Sequence, residues 1–254
     1  MKKIILLLIV VIAISCKSEP KKEVKSEIKK VEEQEETFPT ELGKVFDAHG
    51  GIDAWRKVQV LSFNKEDEVH ISDLHSRKII VKSPKYSLGF DGNEIWSLEE
   101  VEGSLNRDPA FYYNLYFYFY AMPFVLADDG ITYEKVDDFV FEGVNYPGYK
   151  ISYRANVGTS PDDNYIVYYN PETFKMEWLA YTVTFKSKAP VDKYKMIRYN
   201  SWENVSGFIL PKQITWYSKD EKDLYIPTTK IVDFKLALVS PVNLADSFFE
   251  KRVK

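Results

Sequence analysis

The chain has 254 residues, 34 basic against 38 acidic side chains, 15% aromatic residues and one cysteine. A net charge of −4 leaves no basic excess to pull the chain onto nucleic acid, and it disfavours attachment to anionic lipid through surface charge.

The first residues read in three parts. Lys2 and Lys3 are a short basic region, Ile4 to Ile14 an apolar run, and Ala13-Ile14-Ser15-Cys16 a small-residue cleavage site. Eleven apolar residues are too few to span a bilayer as a helix, which needs about 20. Cys16 sits where a lipoprotein signal peptidase leaves it as the new N-terminus, although Ala13 stands where a lipobox usually has Leu. The expectation is a signal peptide over 1–15 with lipid attachment at Cys16. An uncut signal anchor, or an ordinary secretory signal with an incidental thiol, is the alternative. Acylation of Cys16 leaves no free thiol and no disulfide, which removes redox chemistry, cysteine nucleophiles and thiolate metal sites together. Cleavage leaves 32 basic against 38 acidic residues. Membrane attachment then rests on the acyl anchor, at about 0.8 kcal/mol per buried CH₂.

Lys17 to Thr37 holds six lysines, seven glutamates and no aromatic residue. It cannot bury enough apolar surface to offset its ordering entropy, so residues 16–37 form a lipidated N-terminus and charged tether. Fully extended, this tether reaches roughly 70 Å. A coiled coil would need apolar heptads, and there are none.

From Phe38 to the C-terminus (38–254) the chain is long enough for a single sizeable core. Leu42, Val45, Phe46 and His49 fall at helical spacing, and Gly50-Gly51 follow as a stop. Ile52, Trp55 and Val58 begin a short second helix. Strand patterns then occupy Val58–Ser72, His75–Ser83, Lys85–Phe90, Glu94–Val101, Ile131–Phe141, Gly148–Arg154, Asn164–Tyr169, Lys175–Lys186, Tyr194–Val205, Phe208–Ser218 and Thr228–Ser240. Turn chemistry at Asp91-Gly92-Asn93, Asn170-Pro171-Glu172-Thr173 and Ser206-Gly207 separates several of them. Sequential strands on short turns predict an antiparallel meander, a mainly β fold.

Asp108 to Leu126 reads DPAFYYNLYFYFYAMPFVL. Asp108 fits a helix N-cap and Pro109 a first helical position, so the segment is read as a helix apolar on nearly every face, which must be covered all round. A long strand is the alternative, because aromatic residues favour strands. In the helical reading Tyr113, Phe117, Tyr120 and Phe124 share one face, while Tyr116 and Phe119 press elsewhere.

Enzyme motifs are absent: no nucleophile elbow, no paired zinc histidines, no phosphate-binding glycine loop. His49 on an apolar stripe fits packing or capping. His70 and His75 flank a turn with Asp73 as the only nearby further ligand, which falls short of a metal site. The acidic pairs read as solvated loops or as neighbours on opposite strand faces. The Ser160-Pro161-Asp162-Asp163-Asn164 run lacks calcium-loop spacing. No catalytic residue, metal site or cofactor is assigned.

Four stretches carry a resemblance. Pro84-Lys85-Tyr86 with Phe90-Asp91-Gly92-Asn93-Glu94-Ile95-Trp96 resembles a hairpin of the LolA/LolB-like lipoprotein-carrier superfamily. Tyr168 to Thr173 looks like its turn before a long strand. Trp202 with Gly207-Phe208-Ile209-Leu210-Pro211 is similar to its entry into the next strand, and Val232-Asp233-Phe234 with Asp246 to Phe249 to its closing pattern. Ala48-His49-Gly50-Gly51 with Trp55 resembles a narrower family of Bacteroidota lipoproteins. The resemblance implies a half-barrel of about 11 antiparallel strands, strongly curved, with a few helices packed in its concave mouth around an apolar cavity. It also implies a lipid or other apolar small molecule as ligand and a place at the outer membrane facing the periplasm. No arginine here matches the carrier's functional arginine. Trp96, with Tyr113, Phe117, Tyr120 and Phe124, is then a candidate cavity residue. A structural or interaction lipoprotein with a filled core is the second reading. An uncharacterised hydrolase, needing two carboxylates or an acid and a histidine in a cleft, is the third.

Overall fold

The computed structural model describes residues 38–153, 163–185, 191 and 193–252. The signal sequence, Cys16, the tether and the Ser160–Asp162 part of the acidic loop lie outside them. Helix α1 (Thr40–Ala48) buries Leu42, Val45 and Phe46, the apolar stripe read from the sequence. Helix α2 (Ile52–Trp55) follows, then strands β1 (Val60–Lys65), β2 (Glu68–Asp73), β3 (Ile79–Lys82), β4 (Tyr86–Phe90) and β5 (Ile95–Glu99). Next come helices α3 (Pro109–Tyr112) and α4 (Leu115–Tyr120), and a 3-10 turn at Phe124–Ala127. The rest is strand: β6 (Ile131–Phe141), β7 (Val144–Tyr153), β8 (Tyr165–Tyr169), β9 (Met176–Tyr181), β10 (Lys195–Val205), β11 (Phe208–Lys219), β12 (Tyr225–Asp233) and β13 (Lys235–Ser240). A second 3-10 turn covers Asp246–Phe248.

The strands form two antiparallel sheets, ordered β13-β1-β2-β3-β4-β5 and β12-β11-β10-β9-β8-β7-β6. Consecutive strands β12 and β13 sit at one edge of each sheet with Phe234 between them, so the sheets meet at that corner. The fold is the expected mainly β half-barrel, with thirteen strands among the described residues instead of about eleven. Both extra strands come from splitting a predicted one. The stretch from Val58 turns back at Glu66, which takes φ +54 without a glycine. The stretch from Thr228 divides at Phe234, where the chain changes sheets.

The concave faces place Leu61, Phe63, Val81 and Leu88 from one sheet, and Ile151, Val167, Leu179, Ile197 and Ile214 from the other, in one core with α1, α3 and α4. The aromatic segment fills the half-barrel. Tyr120 stacks on Phe63 at 4.2 Å between centroids and meets Phe234 at 4.8 Å. The segment starts as expected, with the Asp108 side chain accepting the Ala110 N–H. It is not one helix: Asn114 separates α3 from α4, and Pro123 follows α4 closely because its ring supplies no N–H and clashes with the preceding turn.

The outer face of the seven-stranded sheet carries a second aromatic core. Phe139 of β6 reaches Trp178 of β9 (5.1 Å) and Tyr225 of β12 (5.4 Å), and Phe141 reaches Tyr217 of β11 (5.8 Å). Strands are about 4.8 Å apart, so β6 and β11 would stand roughly 24 Å apart in a flat sheet. The contacts arise because the far half of the β6–β7 hairpin folds back over the outer face. The pairing slips between Val136 and Phe139. At Gly148 a Cβ would meet the Tyr168 ring at 2.4 Å, so only glycine lets the hairpin cross there.

Candidate functional site

A cleft of about 240 Å³, walled mainly by aromatic and aliphatic side chains with polar residues among them, opens between the helices α3–α4 and the seven-stranded sheet. Its helical wall is the row Phe111, Asn114, Leu115, Tyr118, Phe119 and Met122; its sheet wall includes Tyr165, Tyr181, Val183 and Phe185. The predicted strand Lys175–Lys186 is shorter in the structure: β9 ends at Tyr181, and Val183 and Phe185 run on into the cleft lining. That extension is pinned: Thr182 exchanges hydrogen bonds with Asn164 (2.8 and 3.0 Å), and Asp163 accepts both the N–H (2.7 Å) and the hydroxyl (2.8 Å) of Thr184. Phe119 meets Tyr181 and Trp216 edge-on at 5.3 and 5.6 Å, and the Trp216 indole N–H donates to the Tyr181 hydroxyl at 2.8 Å. Burial raises the Tyr181 phenol to about 12 and pushes the Tyr118 phenol up as well, so both stay neutral. Lys195 and Lys230 stand in the cleft's lining.

None of the five cavity candidates lines this cleft. Tyr113, Phe117, Tyr120 and Phe124 do point into the half-barrel, but as packed core, at 6%, 1%, 0% and 1% exposure. Tyr113 faces Phe90, Phe117 lies under the Arg77 guanidinium, and Phe124 stacks on Trp55 at 4.3 Å. Tyr116 and Phe119 press elsewhere as expected: Tyr116 edges onto His70, and Phe119 belongs to the cleft wall. Trp96 is on the other face of its sheet, with Ile80 and Phe249, and its indole N–H donates to the Phe249 carbonyl at 2.8 Å. Strand alternation marks two faces without saying which is concave, so the sequence could not place Trp96.

A second recess, about 540 Å³, is lined by Trp55, Phe124 and Val58 but also by Arg56, His75, Arg77, Asp128 and Asp129. Arg77 pairs with Asp128 across it at 2.5 Å. So many charges make it a poor seat for an apolar group.

Sequence reading passed over a buried polar cluster centred on Glu68. Its carboxylate accepts hydrogen bonds from the hydroxyls of Tyr86 and Tyr112, from His70 Nε2 (3.1 Å) and from Lys65 Nζ (3.3 Å). Burial alone would raise the carboxyl, but hydrogen bonds from His70 and the two tyrosines outweigh it and hold it at about 2. Burial pushes His70 down, leaving it neutral with its proton on Nε2. The signal was Glu68-x-His70, two residues apart on one strand face. An acid and a histidine thus meet, yet each is 1% exposed and neither lines either of the two clefts described above, so both are closed off from a substrate in those clefts. Through Tyr112 it fastens α3 to the six-stranded sheet. Among the described residues no group of three His, Cys, Asp or Glu side chains is disposed to hold a metal. Nor is any helix there long and apolar enough to cross a membrane.

The Ala48-His49-Gly50-Gly51 stretch is architectural. His49 is fully buried; its Nδ1–H donates to the Ile209 carbonyl (2.8 Å) and its Nε2 accepts the Met176 N–H (3.1 Å), tying α1 to β11 and β9. Burial lowers its pKa to about 4. Gly50 has φ +115, and a Cβ there would lie 2.6 Å from the Gly207 carbonyl. Packing and capping, the role read from its apolar stripe, is what His49 performs.

None of the curated proteins compared matches the chain. Among solved structures, a DUF1329 family protein from Desulfovibrio piger is 14% identical, with a TM-score of 0.45, over 84% of this chain and 98% of its own. A LolA superfamily protein from Nitrosomonas europaea is 10% identical, with a TM-score of 0.38, over 76% of this chain and 87% of its own. Likenesses this distant say nothing of ligand or activity. Residues 2–233 match the model of a family of unknown function, DUF6503, and the chain belongs to that family.

Proposed function

We propose that the protein is a cell-envelope lipoprotein, anchored through acyl chains on Cys16 at the outer membrane facing the periplasm, that binds or transfers an apolar ligand. The observation that carries the binding reading is the cleft beside α3–α4, walled by Phe111, Leu115, Phe119, Met122, Tyr181 and Val183. At about 240 Å³ it is smaller than the roughly 300–1,000 Å³ of sites that enclose a whole drug-sized ligand, so it takes part of an acyl chain or a comparably slender group. The anchor is supported by the basic, apolar and small-residue order of residues 1–16. Native mass spectrometry of the purified chain is expected to show an added mass released by organic extraction. Recovery of ligand-free protein from cells, with no uptake of a fluorescent fatty acid, overturns the reading. Labelled palmitate is expected in the wild type and absent from Cys16→Ala.

A second reading has one observation in its favour: the half-barrel is filled, with Phe63, Phe117, Tyr120 and Phe234 at 0–1% exposure. A protein of this kind would act through its surface as a partner in an envelope assembly. Crosslinking in cells that captures a protein partner while extraction yields no lipid would favour it.

A further inference from the structure

The geometry points to a single-chain anionic amphiphile as the ligand of the cleft, its tail against Phe111, Leu115, Phe119 and Val183 and its carboxylate or phosphate held by Lys195 and Lys230. This rests on the proposed binding of an apolar ligand and adds the head group to it.

The two lysines line the same cleft, and neither ammonium has an ion-pair partner among the described residues. Lys65, the next cation near Lys230, is already engaged by Glu66 at 3.1 Å and Glu68 at 3.3 Å. Asp163 also lines the cleft and keeps its charge while accepting the two Thr184 bonds, so the lining carries two cations against one anion. Lys230 is presented in a fixed place: its Nζ lies 3.7 Å from the centre of the Trp216 ring, and Trp216 is fastened to the cleft wall through Tyr181. Two cations at one rim repel each other. Burial and then the nearby Lys195 and Lys65 push the Lys230 pKa down. An anion between them relieves that repulsion; a neutral ligand leaves it, and a cationic one worsens it. The chain as a whole carries a net charge of −4, so this cationic rim on an apolar cleft runs against its general surface. Apolar walls with a cationic rim match a fatty acid or a lysolipid phosphate, and the two differ only in the source of the anion.

Photo-crosslinking of the full chain in membranes tests this with three diazirine probes of equal tail length: a fatty acid, the matching fatty alcohol and a lysophosphatidic acid. Peptides containing 111–122 or 181–185 are expected to carry the acid or the phosphate at least about tenfold more than the alcohol, the preference expected of one or two charge-assisted hydrogen bonds. Lys195→Gln with Lys230→Gln is expected to bring the anionic probes down to the alcohol's level and leave alcohol labelling unchanged. The Arg double variant is expected to restore the preference. Stronger labelling by phosphate than by carboxylate would assign the head group to a lysolipid, and the reverse to a free fatty acid. Equal labelling by acid, phosphate and alcohol, unchanged by the lysine variants, overturns the head-group assignment while the cleft still binds a tail. No labelling of these peptides by any probe overturns the binding reading itself.

Discussion

Along residues 109–126, Phe117 and Tyr120 are 1% and 0% exposed, whereas Phe111, Leu115 and Tyr118, on another side of the same helices, are half-buried and line the cleft. Both rows hold aromatic rings, Phe117 and Tyr120 in one and Phe111 and Tyr118 in the other. What separates them is the partner: the packed row meets Phe63, Phe234 and Trp55, while the cleft row stands beside a sheet extension that leaves space. A ring is therefore core or binding wall according to the geometry of its neighbour, and residue type alone does not decide.

The largest expected effect is on the packed row. Phe117→Ala should cost about 3–5 kcal/mol, because a large ring leaves a cavity that its neighbours cannot collapse into. Urea unfolding measures it; a loss near 1 kcal/mol would mean that Phe117 is as loosely held as the cleft row.

Acid should weaken the packed side next. His49 touches Phe124, and its folded pKa of about 4 lies below the ordinary 6.5. The unfolded chain binds that proton more readily, so the stability is complete above pH 6.5 and is lost as pH falls from 6.5 to 4, by up to about 3 kcal/mol. Glu68, also depressed, has the same sign in a lower window, from 4.5 towards 2. Urea midpoints from pH 7 to 4 are expected to fall. A flat profile, or one equally steep in His49→Asn, would remove His49 as the cause.

On the cleft row, Leu115→Ala should cost only about 1 kcal/mol, since a partly buried side chain loses less apolar burial than a fully packed one. It should nonetheless weaken fatty-acid uptake, which Phe117→Leu should not. If Leu115→Ala costs as much as Phe117→Ala and leaves uptake intact, the contrast between the rows disappears. The smallest effect has the opposite sign. The Tyr120 hydroxyl is buried with no hydrogen-bond partner among the described residues, so Tyr120→Phe should leave stability unchanged or raise it by up to about 1 kcal/mol. A clear loss in thermal melting would show that the hydroxyl is satisfied.

Much of the fold was legible because its signals are local. The α1 stripe, the Asp108 cap and the Asp91-Gly92-Asn93 turn each act within a few residues. The splits at Glu66 and Phe234 carry no glycine or proline to announce them; long-range pairing imposes them. The candidate site was legible only as a segment. With aromatic residues on nearly every face of 109–126, periodicity could not choose the row that meets open space. Lys230 stood on no motif, since its place over Trp216 depends on the pairing of β11 with β12. Glu68 with His70 could have been read from their shared strand face, had burial of that face been known.

The folded-back hairpin also bears on self-association. A seven-stranded sheet that stays open ends in unpaired backbone groups, which can recruit a second chain strand by strand. β6 is eleven residues long, but past Val136 its pairing slips and it leaves the rim of the sheet to cross the outer face. The length of free ladder at that rim shrinks to Ile131–Val136, where Glu134 and Lys135 project into solvent. The bend that builds the second aromatic core thus also shortens and charges one border through which the sheet could aggregate.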